Sequence, residues 1–126
     1  MTMESESPYK GKTGLRRLWN AFHYSLDGFS AAFRNEDAFR QEVILSCILI
    51  PTALFLHLDG FRKAALISSV LLVLIVELIN SGIEATVDRI SLENHHLAKR
   101  AKDIGSSAVF LSLVNVVCTW LLILFG

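Results

Sequence analysis

Glu77, Asn80, Glu84 and Asp88 have the residue types and the spacing for chemistry, and they follow an apolar run from Leu66 to Val76 broken only by Ser68 and Ser69. Their offsets of 0, 3, 7 and 11 residues place all four within about 80° of arc on a helix of about 3.6 residues per turn. If that helix enters a bilayer near Ala64, Glu77 lies roughly 20 Å along it. That is about 10 Å inside the far boundary of a hydrocarbon layer about 30 Å thick. Glu84 then falls near the headgroups and Asp88 just beyond them. A carboxylate inside hydrocarbon costs at least about 2.5–3.5 kcal/mol on insertion scales, and such groups are functional by default. A polar contact between helices accounts for a lone amide or serine. It does not account for three acids and an amide in one line.

Two or more carboxylates at an interface can hold Mg²⁺ through oxygen ligands while substrate phosphates complete its shell. Nearby Lys and Arg can neutralise a polyphosphate, and a carboxylate at Glu77 can serve as general base for a hydroxyl. Together these residues suit phosphoryl transfer from a Mg²⁺-bound nucleotide to a lipid hydroxyl at the membrane surface. A small oligomer conducting protons or ions uses intramembrane acids equally well, so that reading stays open. The cationic cluster Lys99, Arg100 and Lys102 favours the first, because an anionic nucleotide needs it and a cation pathway does not. Ion flux in liposomes without ATP would identify the second.

The elements that must position these residues are helices. Of the 126 residues 52% are hydrophobic and two are proline, too apolar for an ordinary soluble domain and too short for several. A formal net charge of zero removes any general argument for a nucleic-acid partner. Residues 1–14 are polar without an apolar period, which reads as a flexible tail and not as a signal peptide. Gly11-Lys12-Thr13 imitates the end of a phosphate-binding loop, but Glu6 stands where the first glycine is required. From residue 15 to 126 the chain reads as a single membrane domain.

Leu15, Leu18, Trp19, Phe22, Leu26, Phe29 and Phe33 recur at three- and four-residue steps, so residues 15–34 form an amphipathic helix suited to the membrane interface. Gly28 marks a weak point or bend in it. Arg34 to Glu42 is a charged knot in which Glu36 and Arg40 stand four apart, suiting a solvated helix start with internal ion pairs. The spans are expected at about 37–58, with Pro51 tolerated inside, at 63–90 and at 103–125. Asp59-Gly60 signals the first turn. Residues 90–102 read as a polar loop, with His95 and His96 as solvated surface and Asp103 opening the third span. Gly105, Ser106, Ser107, Ala108 and Ser112 give that span a small-residue face for close helix contact. Cys47 and Cys118 read as buried small hydrophobes and not as a disulfide or a metal pair. Ten basic residues lie before the apolar run that opens at Val43 or between Arg89 and Lys102, against Arg62 and Lys63 on the other side. That asymmetry puts the N-terminus in the cytoplasm and brings Glu36, Glu77, Glu84, Asp88 and the Lys99–Asp103 cluster to one leaflet.

Three blocks of the chain carry a resemblance: Asn35-Glu36-x-Ala38-Phe39-Arg40-Gln41-Glu42, Val76-Glu77-Leu78-Ile79-Asn80-Ser81-x-Ile83-Glu84-Ala85-x-Val87-Asp88-Arg89, and Arg100-Ala101-Lys102-Asp103-x-Gly105-Ser106. They resemble the small integral-membrane bacterial diacylglycerol kinases, over nearly the whole chain from about Leu15. The resemblance implies an ATP- and Mg²⁺-dependent lipid kinase of the bacterial inner membrane, an all-α homotrimer of three-span subunits with an N-terminal surface helix and sites shared between subunits. It implies Glu77 as general base and Glu36 and Glu84 as the carboxylates that hold Mg²⁺, with Asn80 positioning groups beside them. Asp88, His95, Lys102 and Asp103 resemble nucleotide and phosphate contacts. Arg17 resembles a position serving both nucleotide and substrate, and Ser25, Gln41 and Ser106 resemble substrate-side positions. Asn20, Phe22, Leu26 and Asn94 depart from the better-known members, around the lipid access route and the nucleotide rim. A sister branch that phosphorylates undecaprenol is therefore the alternative, although the blocks around Arg89 and Arg100 look closer to the diacylglycerol branch.

Overall fold

The computed structural model describes residues 14–90 and 95–126, and these form four helices: α1 (Gly14–Asn35), α2 (Asp37–Phe55), α3 (Gly60–Ile90) and α4 (His96–Phe125). Residues 1–13 of the expected tail, and Asn94, lie outside the described residues. The chain divides into two compact units, residues 1–31 and 32–126.

The first unit is the larger part of α1. Leu15, Leu18, Trp19, Phe22, Leu26 and Phe29 are all exposed on it, at the helical steps read from the sequence. Trp19 and His23, one turn apart, meet edge to face with ring centroids 4.6 Å apart. The helix runs through Gly28 without interruption. A mid-helix glycine costs only about 0.5–1 kcal/mol relative to alanine, which does not end a helix whose neighbours favour it.

The second unit is organised on α3, which packs against both α2 and α4. Its buried residues, Leu66, Ser69, Val70, Val73 and Glu77, recur at steps of three and four and form one stripe. Asn80, Glu84 and Asp88 prolong that stripe, so a single face passes from apolar packing to polar chemistry. Leu66 is fully buried, and its carbonyl accepts hydrogen bonds from Ser69 Oγ at 2.7 Å and from Trp120 Nε1 of α4 at 3.3 Å. Ser46 and Ser112 are also buried, and each hydroxyl donates to a carbonyl of its own helix, Glu42 at 2.6 Å and Val109 at 2.7 Å.

The α2–α3 turn is closed by side chains. Asp59 Oδ1 accepts from the Arg62 backbone N–H at 2.9 Å, the N-cap arrangement that satisfies an orphan donor. Lys63 Nζ donates 2.8 Å to the carbonyl of Leu54 in the last turn of α2, where a cation also complements the helix dipole. Helices α2, α3 and α4 are each long and apolar enough to cross a membrane. At about 1.5 Å per residue α3 and α4 reach about 45 Å, so one or more turns of each extend beyond about 30 Å of hydrocarbon.

Three expectations change. The helix of the third expected span, α4, begins at His96, not near residue 103, and carries Lys99, Arg100 and Lys102 on regular helix. Leu, Ala, Lys and Arg are good helix formers, so the segment extends the helix without adding hydropathy. Arg40 does not pair with Glu36. It makes a close ion pair with Asp37, and its Nη1 donates to the carbonyls of Phe33 at 2.8 Å and Arg34 at 3.1 Å. Finally, Cys47 and Cys118 are free thiols exposed on the outside of this chain. In a helical membrane chain the apolar side chains point outward as well as inward, so an apolar neighbourhood in sequence does not imply burial within one subunit.

Candidate active site

Position along α3 decides what each member of the stripe meets. Glu77 is 5% exposed and is the one charged side chain buried among the described residues. An isolated carboxylate cannot be buried cheaply, and an apolar residue at the same register would have completed the Leu66–Val73 packing. Three residues on, the Asn80 Nδ2 donates 2.9 Å to Glu84 Oε1, the one-turn spacing that lets an amide serve a carboxylate. The other end of the same amide is different: Asn80 Oδ1 is buried without a hydrogen-bond partner. It faces Gly105 of α4, where an added Cβ would collide with it.

Glu36, the residue before α2, lies close enough to this end of α3 to feel its charges. Burial pushes its carboxyl above the ordinary carboxylate range, and the negative charges of Glu84, Asp37 and Asp88 push in the same direction. Asp88 is bound across the helix pair by Lys102, Nζ to Oδ1 2.6 Å. Asp103 turns the other way and pairs with Lys99 along its own helix at 2.7 Å. His95 stands just before α4 in an extended conformation, and its Nδ1 accepts from the Leu97 N–H at 3.0 Å. Being off the helix, it stacks on His96 with centroids 4.5 Å apart, a contact two adjacent helical residues could not make.

The second unit thus gathers Glu36, Asn80, Glu84, Asp88 and Lys102 toward one end of α3, with Glu77 one turn deeper. Gln41 is exposed on α2 and Ser106 on α4. Arg17 and Ser25 belong to the first unit, where both are exposed and Ser25 Oγ donates to the Ala21 carbonyl at 2.9 Å. Two residues escaped the sequence reading of the site. Gly105 was legible only as one of several small residues. Glu42, half-buried on α2, exerts its charge on Glu77, and its only signal was its place beside Gln41.

Among the described residues no three His, Cys, Asp or Glu side chains lie close enough to hold a metal ion between them. Mg²⁺ does not require such a cage: one or two carboxylates suffice when substrate phosphates supply the remaining oxygens. Glu36 and Glu84 are two hard oxygen donors, near enough for the Glu84 charge to add to the larger effect of burial on the Glu36 carboxyl, and they fit that mode of binding.

Three long apolar helices, with carboxylates, an amide and an ammonium at one end of the middle one, define a small all-helical membrane protein with a polar site at the edge of its apolar zone. Comparison with known proteins specifies the class. The profile of the family described as prokaryotic diacylglycerol kinase matches residues 23–124. The chain is 57% identical over 122 residues to a diacylglycerol kinase of Pseudomonas aeruginosa, covering 97% of this chain and 99% of that one. It is 51% identical to the diacylglycerol kinase of Haemophilus influenzae, over 90% of this chain and 96% of the relative. It is 47% identical to that of Escherichia coli K12, over 90% and 93%. The chain belongs to the prokaryotic diacylglycerol kinase family, and is an enzyme of the kinase class.

Proposed function

We propose that this chain transfers the γ-phosphoryl group of ATP to the free hydroxyl of diacylglycerol at the cytoplasmic face of the bacterial inner membrane, giving phosphatidic acid and ADP. The observation that carries the reading is the buried Glu77 carboxylate, which stands where the apolar stripe of α3 would otherwise continue and leads along one face to Asn80, Glu84 and Asp88. Glu77 takes the proton of the lipid hydroxyl as its oxygen attacks the γ-phosphorus and the bond to the β-phosphate oxygen breaks. Glu36 and Glu84 hold Mg²⁺ with the triphosphate, and the metal draws charge from the phosphoryl oxygens when bound. Asn80 orients Glu84. Asp88, His95, Lys102 and Asp103 contact the nucleotide, and Lys102 supplies a cation to its phosphates.

Arg17, Ser25, Gln41 and Ser106 serve the lipid side, with Arg17 also reaching the nucleotide. Helix α1 lies in the interface with its aromatic side chains in the acyl boundary, and the N-terminus is cytoplasmic, in line with the ten-to-two distribution of basic residues. The working unit is a homotrimer whose sites are shared between subunits. The large apolar area left uncovered on one chain supports contact with lipid and with further copies.

The test is label transfer from γ-phosphate-labelled ATP with Mg²⁺, offering diacylglycerol and undecaprenol in parallel to the purified oligomer. Label in phosphatidic acid is the expected result. Label only in the polyprenol phosphate would move the chain to the sister activity. No transfer by a folded oligomer would overturn the kinase reading and leave ATP-independent ion flux to be measured.

A further inference from the structure

An asparagine amide has a donor end and an acceptor end of nearly the same shape, and beside a carboxylate only one of them is attractive. Turned one way, Asn80 donates to Glu84. Turned the other, it would set two oxygens against each other. In this structure the choice is made from behind: Nδ2 is 2.9 Å from Glu84 Oε1, while Oδ1 is buried with no partner and rests against Gly105, itself buried on α4. An oxygen kept from water without a hydrogen bond is unfavourable, so some compensating role for the arrangement is expected. The α-hydrogens of a glycine are the only groups small enough to receive it there, through weak C–H···O contact.

We propose that Gly105 is a positioning residue for the phosphoryl-transfer site. It gives the Asn80 carbonyl a seat against α4 and thereby fixes the amide with its NH₂ on Glu84 Oε1, which holds in place the carboxylate that would bind Mg²⁺. The inference rests on the reading of Glu84 as a Mg²⁺ carboxylate. It adds that the metal site is set by the register of α4 against α3, not by α3 alone. Any side chain at residue 105 displaces Asn80 Oδ1 and takes the NH₂ with it.

The experiment is the Mg²⁺ dependence of phosphoryl transfer in Gly105→Ala, with Mn²⁺ binding to the same protein followed directly by electron paramagnetic resonance, both on oligomer of verified size in detergent or lipid. Loss of a supporting partner of a metal ligand weakens metal binding about 10–100-fold. The expected result is therefore an apparent Mg²⁺ requirement raised at least about tenfold, an unchanged KM for diacylglycerol, and a rate that returns toward wild type as Mg²⁺ is raised. An unchanged Mg²⁺ requirement, or a loss of rate that Mg²⁺ does not restore, overturns the proposal.

Asn80→Ala removes the group that the methyl introduced by Gly105→Ala would strike, so the pair Asn80→Ala/Gly105→Ala decides the matter even if Gly105→Ala alone fails to fold. The pair should fold and show the Mg²⁺ curve of Asn80→Ala, and a further shift overturns the proposal. Glu84→Gln separates the two levels of argument. If it leaves the Mg²⁺ requirement unchanged, Glu84 is not the metal carboxylate. If it raises the requirement and Gly105→Ala does not, only the role of Gly105 falls.

Discussion

The two ends of α3 share one face and differ in how well that face is satisfied. At the Leu66 end every group has what it needs: Leu66 is enclosed, its carbonyl accepts from both Ser69 and Trp120, and Val70 and Val73 are buried in line with it. At the Glu77 end the same stripe holds a buried carboxylate and an amide oxygen without a partner, and beside it stands Glu36, whose carboxyl is raised by burial and by its acidic neighbours. A helix selected only for stability would have continued the first pattern into the second. The contrast teaches that unfavourable polar groups, concentrated in three turns of one helix, mark where the chain has exchanged stability for chemistry.

Glu77→Gln is the largest test of that contrast. It keeps the shape of the side chain and removes both its charge and its capacity as a base. Phosphoryl transfer should fall by about 10²–10⁴-fold, the span of positioned acid–base catalysis. Because a buried carboxyl gives way to a neutral amide of the same shape, the protein should resist thermal or denaturant unfolding at least as well as wild type. An active Glu77→Gln would remove the proton acceptor from the scheme. An inactive and unstable one would mean that Glu77 holds the helices together, and the two ends of α3 would then not differ in kind.

Leu66→Ala probes the opposite end. Removing a fully buried leucine side chain costs about 2–5 kcal/mol, read as a lowered unfolding midpoint in detergent titration. Whatever remains folded should keep its Mg²⁺ requirement and its KM for ATP, since the site lies about three turns away. A change in Mg²⁺ dependence here would show that packing at one end of α3 sets the geometry at the other.

The helical membrane architecture was legible because hydropathy and period report what a long apolar helix must do with its backbone in lipid. The polar stripe was legible because Glu77, Asn80, Glu84 and Asp88 lie on one helix, where spacing alone fixes a common face. What crosses between helices was not. Nothing in the spacing tells that Lys102 takes Asp88 while Asp103 turns to Lys99, or that Arg40 leaves Glu36 for Asp37 and two backbone carbonyls. The start of α4 was misplaced for a related reason: His96 to Lys102 form helix by propensity and by the His95 cap, neither of which raises hydropathy. Gly105 was hidden most completely, because its importance lies in a neighbour 25 residues away in sequence.

The two lysines near the start of α4 set the smallest effects against each other and give the finest control. Lys102 pairs between helices with Asp88, and Lys99 pairs within one helix with Asp103; in both pairs the partners are substantially exposed. Exposed pairs of either kind contribute little to stability, so Lys102→Met and Lys99→Met should both leave the unfolding midpoint within experimental error. Their kinetics should part. Lys102 lies on the side of α4 that meets α3, beside Asp88 and Glu84, and its loss leaves those acids without a cation where the proposed site takes the triphosphate. The KM for ATP should rise on the order of tenfold, the scale of one charge-assisted contact to a phosphate, and the defect should shrink at high salt, where electrostatic attraction of the nucleotide is screened in both proteins. Lys99→Met should shift KM by less than about twofold, the remainder expected of an exposed, screened charge whose pairing stays within its own helix. Equal defects in the two variants would mean that the start of α4 acts only through its net charge, and the inter-helix pair would lose its special place in the site.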